Sequence, residues 1–156
     1  MAAVMIGIDP HKGSHTAVAV GAAEEPLAKL RVRACPAQAG KLVTWAQAWP
    51  ERTWAVEGAG GLGHLLAQQL IAAGERVLDV QPKLAARVRL LHTENTGKSD
   101  PNDALSVAVA ALSPKTRREV ISDDHACVLK VRAKGIAICP GPATRPPAGC
   151  TPCSAS

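Results

Sequence analysis

Four carboxylates stand where strands end or a helix begins, and their spacing could bring them together. Asp9 ends an apolar strand-like run, Glu57 ends another, and Asp100 and Asp103 open a helical segment. Strand ends and the first turn of a helix can meet at one edge of a sheet. Carboxylates crowded there would repel one another unless cations were bound. The pattern therefore predicts a site for divalent metal ions.

The chemistry that such a cluster favours is phosphoryl transfer. Two Mg²⁺ ions held about 4 Å apart can clamp the attacking and leaving oxygens. The i,i+3 spacing puts Asp100 and Asp103 on one helix face, so both could reach the same ions. Taken singly, each acid has a structural explanation: Asp9 could start a turn, Glu57 could face water at the end of its strand, and the Asp100/Asp103 pair could cap a helix around Pro101. The conjunction of all four favours metal-dependent cutting or joining of a nucleic acid.

Composition narrows the class of protein. The 156-residue chain has a formal net charge of +5 and a pI near 9.2, which favours a polyanionic partner. A hydrophobic content of 47% is enough for a folded core. No apolar run approaches the ~20 residues of a membrane span, and residues 1–9 lack the basic start of a signal peptide. We predict a cytoplasmic protein with no membrane association.

Hydrophobic periodicity predicts three strands in a row, followed by alternating strands and helices. The predicted strands are 4–9, 15–20, 27–34, 53–57 and 76–80, and the predicted helices are 36–49, 62–73, 83–91 and 101–112. Turn residues at 10–14 make the first two strands an antiparallel hairpin. This order is typical of an α/β mixed sheet with helices packed on it.

Three segments carry a family resemblance: residues 6–12 (IGIDPHK), 54–60 (WAVEGAG) and 97–104 (GKSDPNDA). They resemble the DEDD signature of the insertion-sequence transposases numbered family 110, which are relatives of the Piv-type DNA invertases. The resemblance extends from the N-terminus to about residue 134. It implies a RuvC-like domain of ribonuclease H-like fold. It also implies Mg²⁺, with Mn²⁺ as a substitute, held by the four catalytic acids Asp9, Glu57, Asp100 and Asp103.

The same resemblance implies the function and partners of the intact enzyme. It implies DNA strand cleavage and exchange during transposition of an insertion sequence, guided in some members by a structured RNA. We expect the full-length protein to be a homo-oligomer. Family members continue through a helical connector into a second domain with a nucleophilic serine, which the 156 residues do not match.

The predicted domain organisation follows from that departure. We expect a RuvC-like DEDD nuclease domain at 1–120, the start of a helical connector at 121–134, and a disordered tail at 135–156. The tail has no periodicity and is punctuated by Pro and Gly. We hypothesise that it is translated out of frame, so that the chain is a truncated transposase, incomplete without the serine domain.

Basic side chains are candidates for contact with a nucleic-acid backbone. Lys12 and Lys98 lie inside the motifs, and Lys83 and Arg87 are i,i+4 neighbours on a predicted helix. An ordinary solvated surface explains any one of them equally well. A non-catalytic DNA- or RNA-binding remnant is therefore one alternative function.

A second alternative is an NAD(P)-binding oxidoreductase. Gly58, Gly60 and Gly63 match G-x-G-x-x-G between a strand and a helix, and Asp79 lies near the position of a ribose-binding acid. The fingerprint normally follows the first strand of its unit, whereas three strands precede this one. A tight strand-to-helix turn explains the same glycines.

Overall fold

The computed structural model describes residues 3–92, 100–113 and 118–123, which form a mixed sheet flanked by helices. The strands are β1 (Val4–Pro10), β2 (Ser14–Val20), β3 (Pro26–Arg33), β4 (Arg52–Glu57), β5 (Val77–Val80) and β6 (Arg118–Glu119). The helices are α1 (Gln38–Ala46), α2 (His64–Ala72), α3 (Pro82–His92) and α4 (Asp100–Leu112). All of them lie within a compact unit that spans residues 1–122.

The strand order in the sheet is β3-β2-β1-β4-β5-β6. Strands β1, β2 and β3 form the predicted antiparallel meander. Strand β4 pairs with β1 and with β5 in parallel, and β6 is antiparallel to β5. The predicted mixed α/β sheet is confirmed. Strand β6 was missed because two residues are too short to show a period.

The helix boundaries differ from the sequence prediction by small amounts. Helix α1 is shorter at both ends than the predicted 36–49, and α4 begins at Asp100 instead of Pro101. In the described part of the chain, no helix is both long and apolar enough to cross a bilayer. The predicted tail at 135–156 and all but the first residues of the connector lie outside the described residues, so both stay predictions.

Strand parity divides the core into two layers, because successive side chains of a strand point to opposite faces. On one face, Ile6 and Ile8 of β1 pack with Trp54 and Val56 of β4 beneath α1 and α2. On the other face, Met5 and Ala55 pack beneath α4. Asp9 and Glu57 have the parity of Met5 and Ala55. The end of the sheet that carries these acids therefore projects them onto the α4 face.

Helix α4 lies very close to β1, and Gly7 makes this approach possible. A Cβ atom at Gly7 would overlap the carbonyl oxygen of Ala104 and would lie 2.5 Å from the backbone nitrogen of Ala108. The helix side of the contact also consists of small residues, since Ala104, Ala108 and Ala111 are all buried there. The close packing fixes the N-terminal turn of α4 beside the end of β1.

Candidate metal centre

Two of the four acids come from neighbouring parallel strands. Ile8 of β1 is paired in register with Val56 of β4, so the residues that follow, Asp9 and Glu57, are side by side. Asp9 is 6% exposed, Glu57 is partly buried, and their carboxyl groups are hydrogen-bonded to each other. Two carboxyl groups can share a hydrogen bond when one of them holds a proton. The strand ends therefore form a carboxyl pair.

The other two acids come from the first turn of α4. Asp103 is 9% exposed, Asp100 is partly exposed, and the charges of both raise the pKa of Asp9. The charge of Asp103 also raises the pKa of Glu57. All four predicted acids are thus brought onto one face of one sheet end. The carboxylates of Asp100 and Asp103 also pair with basic side chains.

Three basic side chains contact the acids. His11 Nε2 lies 3.0 Å from Asp9 Oδ2 and 3.7 Å from Asp100 Oδ1. Arg31 of β3 reaches Asp100 across 3.3 Å, and Arg89 of α3 donates to Asp103 Oδ1 at 2.6 Å. Imidazole and guanidinium groups therefore stand where cations would neutralise the cluster. The His11–Asp9 contact is short, but its atoms are not aligned for a hydrogen bond. Both His11 Nε2 and Asp9 Oδ2 therefore lack a hydrogen-bond partner.

Burial and crowding alter the ionisation of the strand pair. Burial is the main cause that raises the pKa of Asp9, reinforced by the charges of Asp103 and Asp100 and opposed by His11. Burial, the charge of Asp9 and the hydrogen bond to Asp9 together raise the pKa of Glu57 to about 7, against the lowering effect of Arg89. Glu57 is therefore the partner that keeps the shared proton near neutral pH.

We expect the metal-free protein to lose stability as the pH rises from about 4.5 to about 7. In this window the unfolded chain has released the Glu57 proton, whereas the folded chain still holds it. The folded state binds more protons, so a higher pH favours unfolding. After allowance for solvent screening, the pKa shift corresponds to a loss on the order of 2 kcal/mol. Melting temperatures in chelator across this pH range measure the loss.

The matched variant for this measurement is Glu57→Gln, which cannot ionise. The difference in melting temperature between wild type and variant should grow with pH and level off above about 7. Comparing the two proteins cancels the contribution of groups that titrate elsewhere. A difference that is constant from pH 4.5 to pH 8 would contradict the assignment.

In the described residues, no group of three or more His, Cys, Asp or Glu side chains is assembled as a coordination sphere. The contacts explain why, since Arg89 occupies Asp103 and His11 stands between Asp9 and Asp100. The donor chemistry nevertheless fits a hard divalent cation, because all four acids offer oxygen. Buried polar atoms without a hydrogen-bond partner also collect here, namely Asp9 Oδ2, His11 Nε2 and the Oγ1 of Thr16. A cation with its waters would satisfy these oxygens.

The predicted nucleic-acid-binding residues are less concentrated than the acids. Lys12 is exposed in the β1–β2 turn, next to His11. Lys83 and Arg87 are exposed on α3, and Lys98 lies outside the described residues. Their role stays a prediction.

Sequence reasoning did not assign Arg31, Arg89, His11 or Thr16 to the site. The available signals were weak: His11 follows Asp9 by two residues, and Arg31 lies on the outward-facing period of β3. Thr16 is paired in register with Asp9 on one side and with Arg31 on the other. Strand pairing, which a single sequence does not reveal, thus puts Asp9, Thr16 and Arg31 in one row across the sheet.

The glycine-rich turn after β4 is explained by its own hydrogen bonds. Gly58 has a φ of +59° and its carbonyl accepts from Gly61 and Gly63. Asp79, the predicted ribose-binding acid, accepts from the backbone nitrogen of Ala59 at 2.8 Å. A side chain at Gly63 would crowd Val56 Cγ1 at 2.5 Å. The glycines and Asp79 thus build the strand-to-helix turn, and the dinucleotide explanation loses the acid on which it depends.

Comparison with solved structures gives the fold. A Thermus thermophilus RuvC in complex with a Holliday junction substrate matches with a TM-score of 0.57 and 20% identity, covering 76% of this chain and 99% of that one. A further Thermus thermophilus RuvC structure matches with a TM-score of 0.55 and 18% identity, covering 75% and 99%. At this level of identity the likeness shows a RuvC-like fold, which confirms the predicted fold class.

Comparison of sequences gives the family. A protein of insertion element IS116 from Streptomyces clavuligerus, of 44.8 kDa and described as uncharacterized, is 35% identical over 105 residues. The alignment covers 67% of this chain and 26% of that protein, so the chain spans about a quarter of the length of this relative. The family model of the IS110 DEDD transposases matches residues 6–133. Four acids gathered at one end of a RuvC-like sheet, together with this match, place the chain in the IS110 family of DEDD transposases.

Proposed function

We propose that this chain carries the metal-dependent DNA-cleaving centre of an IS110-type transposase. Its catalytic residues are Asp9, Glu57, Asp100 and Asp103, which hold Mg²⁺ or Mn²⁺. The observation that carries the proposal is the convergence of these acids, two of which, Asp9 and Glu57, have a pKa raised by burial and by the charges of neighbouring acids. A carboxylate cluster with perturbed ionisation at the end of a sheet is typical of a functional site.

The four acids have distinct tasks in this proposal. Asp9 and Glu57 are held by the sheet, so they supply rigid oxygen ligands, while Asp100 and Asp103 complete the set from the helix. Bound Mg²⁺ or Mn²⁺ would polarise the scissile phosphate and stabilise developing charge on its oxygens. Glu57 must release its proton for all four groups to act as ligands. Metal affinity should therefore increase with pH up to about 7.

The basic residues at the site fit a phosphate-bearing substrate. Arg31 and Arg89 flank the acids from opposite sides, and both pair with acids of α4. When the carboxylates hold cations, these guanidinium groups could turn from the acids of α4 to phosphate oxygens. Contact with Arg31 and Arg89 would orient a strand across the acid row.

A path for the nucleic acid continues from Arg31 along the sheet edge. Lys29, Arg31 and Arg33 alternate on the exposed side of β3, which is the edge strand. Successive members lie about 6.7 Å apart along a strand, a spacing that suits contact with consecutive phosphates. Lys12, Lys83 and Arg87 are further candidates. The Holliday junction bound by the related Thermus thermophilus RuvC supports DNA as the partner.

Strand exchange, guidance by an RNA and assembly into a homo-oligomer are proposals for the intact transposase, of which this chain has the RuvC-like part.

The second candidate function is a nucleic-acid-binding module without catalysis. It is favoured by one observation, namely that the basic side chains of His11 and Arg89 contact Asp9 and Asp103 directly. The two candidates differ in what they do to bound DNA.

The test is nicking of supercoiled or branched DNA by the purified chain. We expect nicks in Mg²⁺ or Mn²⁺ and none in EDTA, because the phosphate is activated by the cations that the acids hold. Binding of DNA without nicking in either metal would favour the binding module. Absence of both DNA binding and Mn²⁺ binding would overturn the proposed function.

A further inference from the structure

A cavity of about 340 Å³ adjoins the acids on the opposite side of His11. It lies on the α1/α2 face of the sheet, and its wall includes His11 and Lys12 from the β1–β2 turn. His11 also contacts Asp9 at 3.0 Å, so one side chain separates the cavity from the acid cluster. The volume is near the lower end of the range for small-molecule sites, roughly 300–1,000 Å³.

The floor of the cavity is a chain of hydrogen-bonded polar side chains. Gln38 is 3% exposed and donates to Gln69 Oε1 at 2.8 Å. The Oε1 of Gln38 must then accept from His15 Nε2, which lies at 2.9 Å. This arrangement fixes the orientation of both amides. It leaves the amide nitrogen of half-buried Gln69 as a donor at the end of the chain of bonds.

The rim of the cavity has a different character. Leu62 and Leu65 line it and are 57% and 65% exposed, so the mouth of the cavity presents apolar surface to solvent. Lys12 contributes a positive charge at the same mouth. The site thus combines apolar surface, amide groups and a cation within reach of a phosphate-handling centre.

We propose that this cavity binds one unstacked nucleobase of the DNA strand whose phosphate lies at the acids. A base offers two flat apolar faces for the leucines and a polar edge for the amide nitrogen of Gln69, which the bonded Gln38 holds in place. Its phosphate would lie near Lys12 and His11, at the border with the acid cluster. A base inside a duplex cannot reach such a site, so the strand must be single or locally opened there. The inference rests on the proposed function, and it adds a determinant of where the strand is cut.

The test uses single-stranded DNA in which 2-aminopurine replaces one base at a time, bound to the whole chain in Ca²⁺. We expect a several-fold increase in fluorescence at one position of the strand, because the base leaves its neighbours. Alkylation of Cys35, which is a free thiol and lines the cavity, should slow when the strand is bound. Peptide mass spectrometry identifies that site without any substitution.

The matched variants are Gln69→Leu and Gln68→Leu. Gln69 lines the cavity, whereas the neighbouring Gln68 donates to the carbonyl oxygen of Ile121. Gln69→Leu should weaken binding of the strand by about fivefold and reduce the fluorescence increase. Gln68→Leu should change neither. A melting curve for each variant verifies that it is folded.

Failure of this inference is distinguishable from failure of the proposed function. Suppose that nicking depends on metal, but no position shows a fluorescence increase and Cys35 alkylation is unchanged. That result would overturn the proposed base site but would not contradict the proposed nuclease function. Tighter binding and stronger Cys35 protection by an RNA strand of the same sequence would overturn its assignment to DNA. If the strand does not bind at all, the proposed function and this inference both fall.

Discussion

Asp9→Asn should abolish metal-dependent nicking and, at pH 8 without metal, should make the folded protein more stable. The substitution keeps the shape of the side chain and removes the charge at the centre of the acid cluster. Loss of a metal ligand removes several kcal/mol of transition-state stabilisation, which corresponds to a decrease in rate on the order of 10³-fold. Affinity for Mn²⁺ should fall by about 100-fold. Nicking assays and Mn²⁺ titration measure the two effects.

The gain in stability separates a catalytic role from a structural one. The pKa of Asp9 is raised, so its ionised form is unfavourable in the folded state, and asparagine relieves that cost. A residue with a structural role would instead destabilise the fold when it is replaced. Glu119→Gln is the matched control, because Glu119 is an exposed acid on strand β6 that pairs with Arg76. Equal loss of nicking in both variants, or retained nicking in Asp9→Asn, would contradict the assignment.

Gly7→Ala should weaken the fold and the metal site together. Its methyl group would overlap the Ala104 carbonyl oxygen and lie 2.8 Å from the Cβ atom of Ala108, so α4 must move away from β1. Overpacking of a core costs typically 1–3 kcal/mol, and backbone on the helix side cannot yield as a side chain would. We expect a decrease in melting temperature on the order of 10 °C. Because α4 carries Asp100 and Asp103, affinity for Mn²⁺ should fall as well.

The control for this prediction is Gly13→Ala in the β1–β2 turn. A Cβ atom at Gly13 would meet open space, so the same added methyl group should leave the melting temperature and the Mn²⁺ affinity nearly unchanged. If Gly7→Ala and Gly13→Ala behave alike, the close approach of α4 to β1 does not set the geometry of the acids.

The carboxylate cluster destabilises the folded protein locally when no metal is bound. Burial and the charges of neighbouring acids raise the pKa of Asp9 and Glu57, and three basic side chains reduce the repulsion within the cluster. Such local destabilisation is common at sites that must hold a ligand. A divalent cation that binds the folded state alone would stabilise it by mass action. The pH and metal dependence of stability thus reports on the site even where nicking is weak.

Local sequence patterns were enough to predict every described strand and helix except β6, and to select the four acids. Apolar runs that end at Asp9 and Glu57, and the first turn at Asp100 and Asp103, are local patterns that a period and a turn signal reveal. The alternation in β3 and the turn at 10–14 were enough to predict the meander. These properties depend on neighbours in the chain, which is why they could be predicted before the fold was known.

The positions of the acids relative to one another, and the residues that surround them, depend on the tertiary structure. The register that sets Asp9 beside Glu57, and the approach of α4 over Gly7, arise from pairing between segments that are far apart in sequence. The same long-range pairing brings Arg31 and Arg89 to the acids and forms the cavity behind His11. Charge and burial then set the pKa of Glu57, since both depend on distances in space and not along the chain.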